Sequence, residues 1–93
     1  MKKKETITLI NDSFTNEEAK DLLIQLFKSP INFYTIKNWS SQERYRKEDA
    51  NSIKRIPALK NEMEKIQAII LKSKKEKKKI VVSSEINISL IDE

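Results

Sequence analysis

The stretch IKRIPALKNEMEKIQAIIL, residues 53–71, decides the fold. Ile56, Leu59, Met63, Ile66 and Ile70 recur at spacings of 3, 4, 3 and 4 residues, which draws one stripe along an α-helix. Ile53 extends that stripe one step toward the N-terminus. The stripe predicts a long helix on which the remaining elements pack. Pro57 bears on where this helix begins. A proline in a helix interior removes a hydrogen bond and costs about 3 kcal/mol, but it is tolerated in the first turn. The regular helix therefore starts near Lys54, or it starts near Ser52 with a kink. Ile69, Ile70 and Leu71 together occupy most of the circumference, so more than one neighbour is expected to bury that end. The stripe covers little over two heptads, too few for a coiled-coil assignment, and a helical hairpin within the chain explains it better.

The partner helix lies upstream. Thr15 can cap a helix, Glu18 stands three residues on, and Phe14 and Ala19 occupy the staple positions. Ala19, Leu22, Leu23, Leu26 and Phe27 then share a face. Pro30 disfavours α geometry at Ser29, so this helix is expected to span about 15–28. Ile31, Phe33 and Ile36 suit a short helix, and Ser40-Ser-Gln-Glu43 forms a second capping box, where a new helical piece can start. Residues 47–51, KEDAN, are a polar break. Thr6–Ile10 reads as a strand followed by a turn at Asn11-Asp12-Ser13. Residues 80–82 and 86–91 read as two more strands joined at Ser83-Ser84-Glu85. Ile86, Ile88 and Leu90 alternate with polar residues, as in a half-buried strand. The order is β-α-(α)-α-β-β. The expected fold class is α+β, a single domain over residues 1–93, with a three-stranded, mostly antiparallel sheet packed on one face by a helical hairpin.

Absences in the composition exclude several chemistries. Neither cysteine nor histidine occurs, so thiol chemistry, zinc thiolates and the commonest general base are missing. Glycine is also absent, which rules out Gly-rich phosphate loops. No catalytic or metal site and no cofactor are expected, and the chain reads as non-enzymatic. Asp12, Glu17, Glu18 and Asp21 gather at one helix start, where dipole and cap chemistry accounts for them. The basic start is not followed by a long apolar segment, so the protein is expected to be cytoplasmic.

The net charge of +5 is unevenly placed. Lys2, Lys3 and Lys4 form one run, and Lys74, Lys75, Lys77, Lys78 and Lys79 dominate another. If the last strand lay between the other two, both runs would meet at one sheet edge. Such a patch could hold phosphates and bind nucleic acid weakly, without sequence preference. The plainer reading is solvated lysine that favours a helix C-terminus and protects a sheet edge. A low-G+C genome also yields lysine, isoleucine and asparagine without any functional demand.

Residues 33–46 hold Phe33, Tyr34, Trp39 and Tyr45, interleaved with Lys37, Arg44 and Arg46. Trp, Tyr and Arg are the residues enriched in protein-binding hot spots. Tyr34, Trp39, Arg44, Tyr45 and Arg46 are therefore the candidate partner-binding residues, with a second copy of the chain or another protein as partner. Alternatively, Phe33 and Trp39 belong to the core, or the aromatics stack on single-stranded bases.

The segments FTNEEAKDLL (14–23), SPINFY (29–34), SSQER (40–44) and KRIPALK (54–60) resemble a family of short bacterial proteins of unknown function, of the Bacteroidetes type. The likeness runs from Phe14 to Leu90. It implies a small bacterial protein and carries over no site. The family pattern has His where this chain has Tyr34, and a residue other than proline at Pro57, so no imidazole role transfers.

Overall fold

The computed structural model describes residues 4–92. The order is β1 (Lys4–Phe14), α1 (Asn16–Tyr45), α2 (Ala50–Lys75) and β2 (Ile80–Ser89). The two helices form an antiparallel hairpin, and the two strands form an antiparallel ribbon joined to its open end.

The seam between the helices follows the sequence stripe. On α2 the seam positions Ser52, Ile56, Leu59, Met63, Ile66, Ile70 and Ser73 are buried or half-buried at spacings that alternate four and three, and Ala58 beside them is half-buried too. Ile53 stands off the seam and is exposed; Ser52, one residue earlier, is fully buried in its place. On α1 the inward positions include Ala19, Leu23, Phe27, Pro30, Tyr34, Asn38 and Ser41. Among the described residues, the buried apolar side chains are Ala19, Leu59 and Ile70.

Both helices start on caps. The Thr15 hydroxyl accepts from the Glu18 N–H at 3.2 Å, and the Thr15 N–H donates to Glu18 Oε1 at 2.9 Å. Asp49 caps α2: its Oδ2 accepts from the Ser52 N–H at 2.9 Å and also from the Ser52 hydroxyl. α1 ends on Arg46 with a positive φ (52°), and α2 is capped by Glu76 with an ordinary φ of -89° and followed by Lys77 at 57°, in a chain without the glycine that usually takes the left-handed geometry.

Several expectations are corrected. α1 does not stop before Pro30. It runs through that residue to Tyr45, absorbing both the short helix expected from Ile31 and the piece expected from Ser40. Continuous packing on α2 outweighs the one hydrogen bond that Pro30 cannot donate. α2 begins at Ala50, which places Pro57 well inside it. Among the described residues the sheet has two strands and not three. Residues 80–82 and 86–89 belong to one strand, and Ser83, Ser84 and Glu85 pair with Asn11, Ile10 and Thr8. The expected turn at 11–13 is likewise strand, paired with residues 81–83. The ladder runs unbroken through both stretches, with Asn11 opposite Ser83 and with Asp12 and Ser13 opposite Val82 and Val81, so neither is a loop. Ile69 and Leu71 are exposed, and only Ile70 of that trio is buried.

The ribbon has a register break. Thr8 pairs with Glu85 and Ile10 with Ser84, leaving Leu9 as the extra residue of a bulge. Because a bulge shifts face parity, Ile7 and Ile10 point to the same side although three residues apart. That side carries Phe14, Ile80, Val82, Ile10, Ile7, Ile86 and Ile88, and with them the polar residues Asp12, Ser84 and Glu5, which pair with Val82, Ile10 and Ile88. The other carries Lys4, Thr6, Thr8, Asn11 and Ser13 with their partners Ser89, Asn87, Glu85, Ser83 and the exposed Val81, and Thr6 Oγ1 donates to Asn87 Oδ1 at 3.0 Å.

Pro57 is exposed within α2 and denies the Ile53 carbonyl its ordinary partner. Pro57→Ala is expected to stabilise the protein by roughly 1–3 kcal/mol, the helix gain being partly offset by a looser unfolded chain. A urea titration followed by circular dichroism reads this as a higher midpoint with unchanged slope.

Candidate interaction surface

The aromatic stretch of α1 follows from the seam. Tyr34 falls on the inward side and is half-buried, which turns its neighbours outward. Phe33, Ile36 and Trp39 are 60%, 64% and 61% exposed on the side away from α2. Phe33 and Trp39 are therefore not core residues. The rings of Phe33 and Tyr34 meet edge to face, with centroids 5.3 Å apart. This contact ties the outward patch to the seam.

Arg44, Tyr45 and Arg46 lie exposed at the closed end of the hairpin, where α1 turns into α2. The connection is held by polar bonds. The Arg46 N–H donates to the Gln42 carbonyl at 2.9 Å, the Ser41 hydroxyl to the Lys47 carbonyl at 2.7 Å, and the Asp49 N–H to Asn38 Oδ1 at 2.7 Å. Trp39, Arg44 and Tyr45 are thus carried on α1 and Arg46 on the cap that follows it, with Trp39 set apart from the tip. A shallow hollow at the tip is lined by Lys37, Ser40, Arg44, Tyr45 and Asp49.

The lysine run occupies the opposite, open end. Asn16 Nδ2 donates to Ser73 Oγ at 2.7 Å and to the Lys78 carbonyl at 3.0 Å. Ser73 Oγ passes its own hydrogen to the Ile70 carbonyl at 2.7 Å. One amide thereby joins the start of α1 to the end of α2 and to the turn leading into β2. Two lysines there are already paired, Lys74 with Glu17 at 2.9 Å and Lys78 with Glu76 at 3.5 Å. Lys75, Lys77 and Lys79 are exposed around them. Lys4 pairs with Ser89 at the far end of the ribbon, roughly 30 Å of strand from this corner. The single basic patch expected at one sheet edge does not form with Lys4, and Lys2 and Lys3 lie outside the described residues. The acidic residues near Thr15 have structural partners: Glu18 completes the capping box and Glu17 holds Lys74. Among the described residues, no cluster of three or more acidic, His or Cys side chains could hold a metal ion. Among the described residues, no helix is long and apolar enough to cross a membrane.

A second apolar surface escaped the sequence reading. The ribbon's apolar side is half-buried near the helices, at Ile10, Phe14, Ile80 and Val82. Farther out, Ile7, Ile86 and Ile88 are 49%, 41% and 46% exposed, so the expected half-buried strand at 86–90 is open to solvent. Alternation at Ile86 and Ile88 was visible in the sequence. Its continuation onto β1 was hidden by the bulge at Leu9.

Three carboxylates are held below their ordinary pKa values. Glu17 is lowered by its hydrogen bond and charge contact with Lys74, Glu18 by the N–H and hydroxyl of Thr15, and Asp49 by the hydroxyl and N–H of Ser52. A depressed folded-state pKa stabilises the fold above the unfolded value and is lost as pH falls through the folded value. The urea midpoint is therefore expected to fall as pH drops below about 4.5, the ordinary glutamate value. A Glu17→Gln/Asp49→Asn double variant should lose less over the same range. An identical acid profile for the two proteins would assign the loss to other groups.

No family model, curated protein or solved structure matches this chain.

Proposed function

We propose that this chain is a non-enzymatic protein-interaction module that works as a homodimer. The observation that carries the reading is the area left exposed. The chain presents 7944 Å² to solvent, whereas a compact monomer of 10.9 kDa exposes about 5,600 Å². Its radius of gyration is 16.8 Å, against about 12 Å for a compact domain of this length. The excess, roughly 2,300 Å² per chain, is of the size that obligate dimers bury.

The nature of the exposed surface supports the same reading. Phe33, Ile36 and Trp39 form an apolar patch on a rigid helix, and Tyr34 braces it from the seam. Arg44, Tyr45 and Arg46 supply a cationic and aromatic border at the hairpin tip. A desolvated aromatic centre with a polar rim is how binding energy is concentrated in protein interfaces.

Weak nucleic-acid binding through the lysine runs has less support. Lys4 is far from the corner cluster, and Lys74 and Lys78 are neutralised by carboxylates of this chain. Fewer free cations at one place mean fewer phosphates contacted and a shallower salt dependence.

Light scattering coupled to gel filtration tests the proposal. The expected mass is twice 10.9 kDa at micromolar concentration. Trp39→Ala should weaken the dimer at least tenfold while leaving the helix content unchanged. A mass of one chain at high micromolar concentration would overturn the reading.

A further inference from the structure

We infer that the overhanging half of the ribbon packs on the outer face of α1 of a second copy, and that the two copies exchange this contact reciprocally. The inference rests on the homodimer reading and adds the surface that meets α1.

Two of the apolar surfaces that the chain leaves exposed can meet in this way. One is the far half of the ribbon's mainly apolar side, Ile7, Ile86 and Ile88, with Glu5 paired to Ile88 at its edge; the other is the α1 patch, Phe33, Ile36 and Trp39. The ribbon side is continuous with Ile10, Phe14, Ile80 and Val82, which are half-buried beside the chain's own helices. The same face is thus already built to lie on a helical layer. Beyond the open end of the hairpin that layer runs out, and the ribbon continues for about five residue pairs. A two-stranded ribbon is marginally stable in water without a covering layer.

A helix from a second copy supplies the missing layer. Successive ribbon residues on one side are about 7 Å apart, and successive residues of a helical stripe are about 5 Å apart. Ile86 and Ile88 therefore span a length comparable to that from Phe33 to Ile36. Two-fold symmetry makes each contact occur twice, ribbon on helix and helix on ribbon. Both apolar surfaces are then covered by one kind of partner, with no open end for further growth. Packing ribbon against ribbon would cover Ile7, Ile86 and Ile88 but leave Phe33, Ile36 and Trp39 in water. The polar side, with Thr6, Thr8, Asn87 and Glu85, stays solvated in the exchanged arrangement.

The chain has no cysteine, so single introduced thiols report proximity without background. Ile88→Cys and Ile36→Cys proteins, each checked by circular dichroism, are mixed and oxidised, and the cross-linked species are identified by mass. The expected product is the mixed dimer joining the two variants, in clear excess over either self-linked dimer. Ile88→Glu in the otherwise unchanged chain should raise the dimer dissociation constant at least tenfold. A light-scattering dimer that yields chiefly self-linked Ile88→Cys overturns the inference and leaves the homodimer standing. A dimer with no cross-link, and no loss of affinity in Ile88→Glu, does the same. A monomer at every concentration overturns both.

Discussion

The packing of α1 on α2 is the contact on which everything else hangs. Its seam is long and narrow, and alternating steps of three and four keep one stripe of each helix facing the other. Both connections to the ribbon leave from the open end of this hairpin. The strands therefore meet in register only if the helices hold their relative position. Asn16 secures that position by bonding to Ser73 at the end of α2 and to the Lys78 carbonyl beyond it. At the closed end, Asn38 does the corresponding work by accepting from Asp49. Two side-chain amides thus brace the two ends of an apolar seam. Each lies where the helix geometry would otherwise leave backbone or side-chain groups unpaired.

Small size explains the rest of the architecture. A hairpin of two helices has one mutual face, and 93 residues do not supply a second layer across its whole length. The ribbon covers the open end and then extends past it. Apolar side chains on the outer α1 face and on the outlying ribbon are left with water for neighbours. Neither surface is scattered: Phe33, Ile36 and Trp39 follow at steps of three along the outer side of α1, and Ile86 and Ile88 alternate along β2 with Ile7 paired to Ile86. Periodic apolar residues in an exposed position are the pattern of a face awaiting a partner, whereas isolated exposed apolar residues are ordinary.

Charge plays a local part. The lysines beyond α2 sit at a helix C-terminus, where positive charge is favourable, and Glu17 and Glu18 sit at a helix N-terminus, where negative charge is favourable. The Lys74–Glu17 pair links those two ends. It is exposed and contributes little energy, but it lies beside the Asn16 bridge and favours the same arrangement. The basic corner is accordingly part of how the hairpin closes.

The sequence by itself determined that two helices pack along the Ile56–Ile70 stripe, and where the first of them starts. The stripe from Ile56 to Ile70 and the capping box at Thr15 and Glu18 are local signals whose periods and hydrogen bonds do not depend on distant residues. The strands were legible only in part. Thr6–Ile10 and Ile86–Ser89 have β-branched or alternating character, but Asn11–Ser13 and Ser83–Glu85 look like turns until they are seen to pair with each other and with their neighbours. Pairing also decided that the ribbon has two strands, that Leu9 bulges, and that Ile7 shares a face with Ile86 and Ile88. Pro30 and Pro57 were local stop signals that the long packed seam overrode. Which of Phe33, Tyr34 and Trp39 faces water could not follow from composition, because aromatic residues suit a core and an interface equally well. Only the rotation of α1 about its axis, set by packing on α2, turned Tyr34 inward and the other two out.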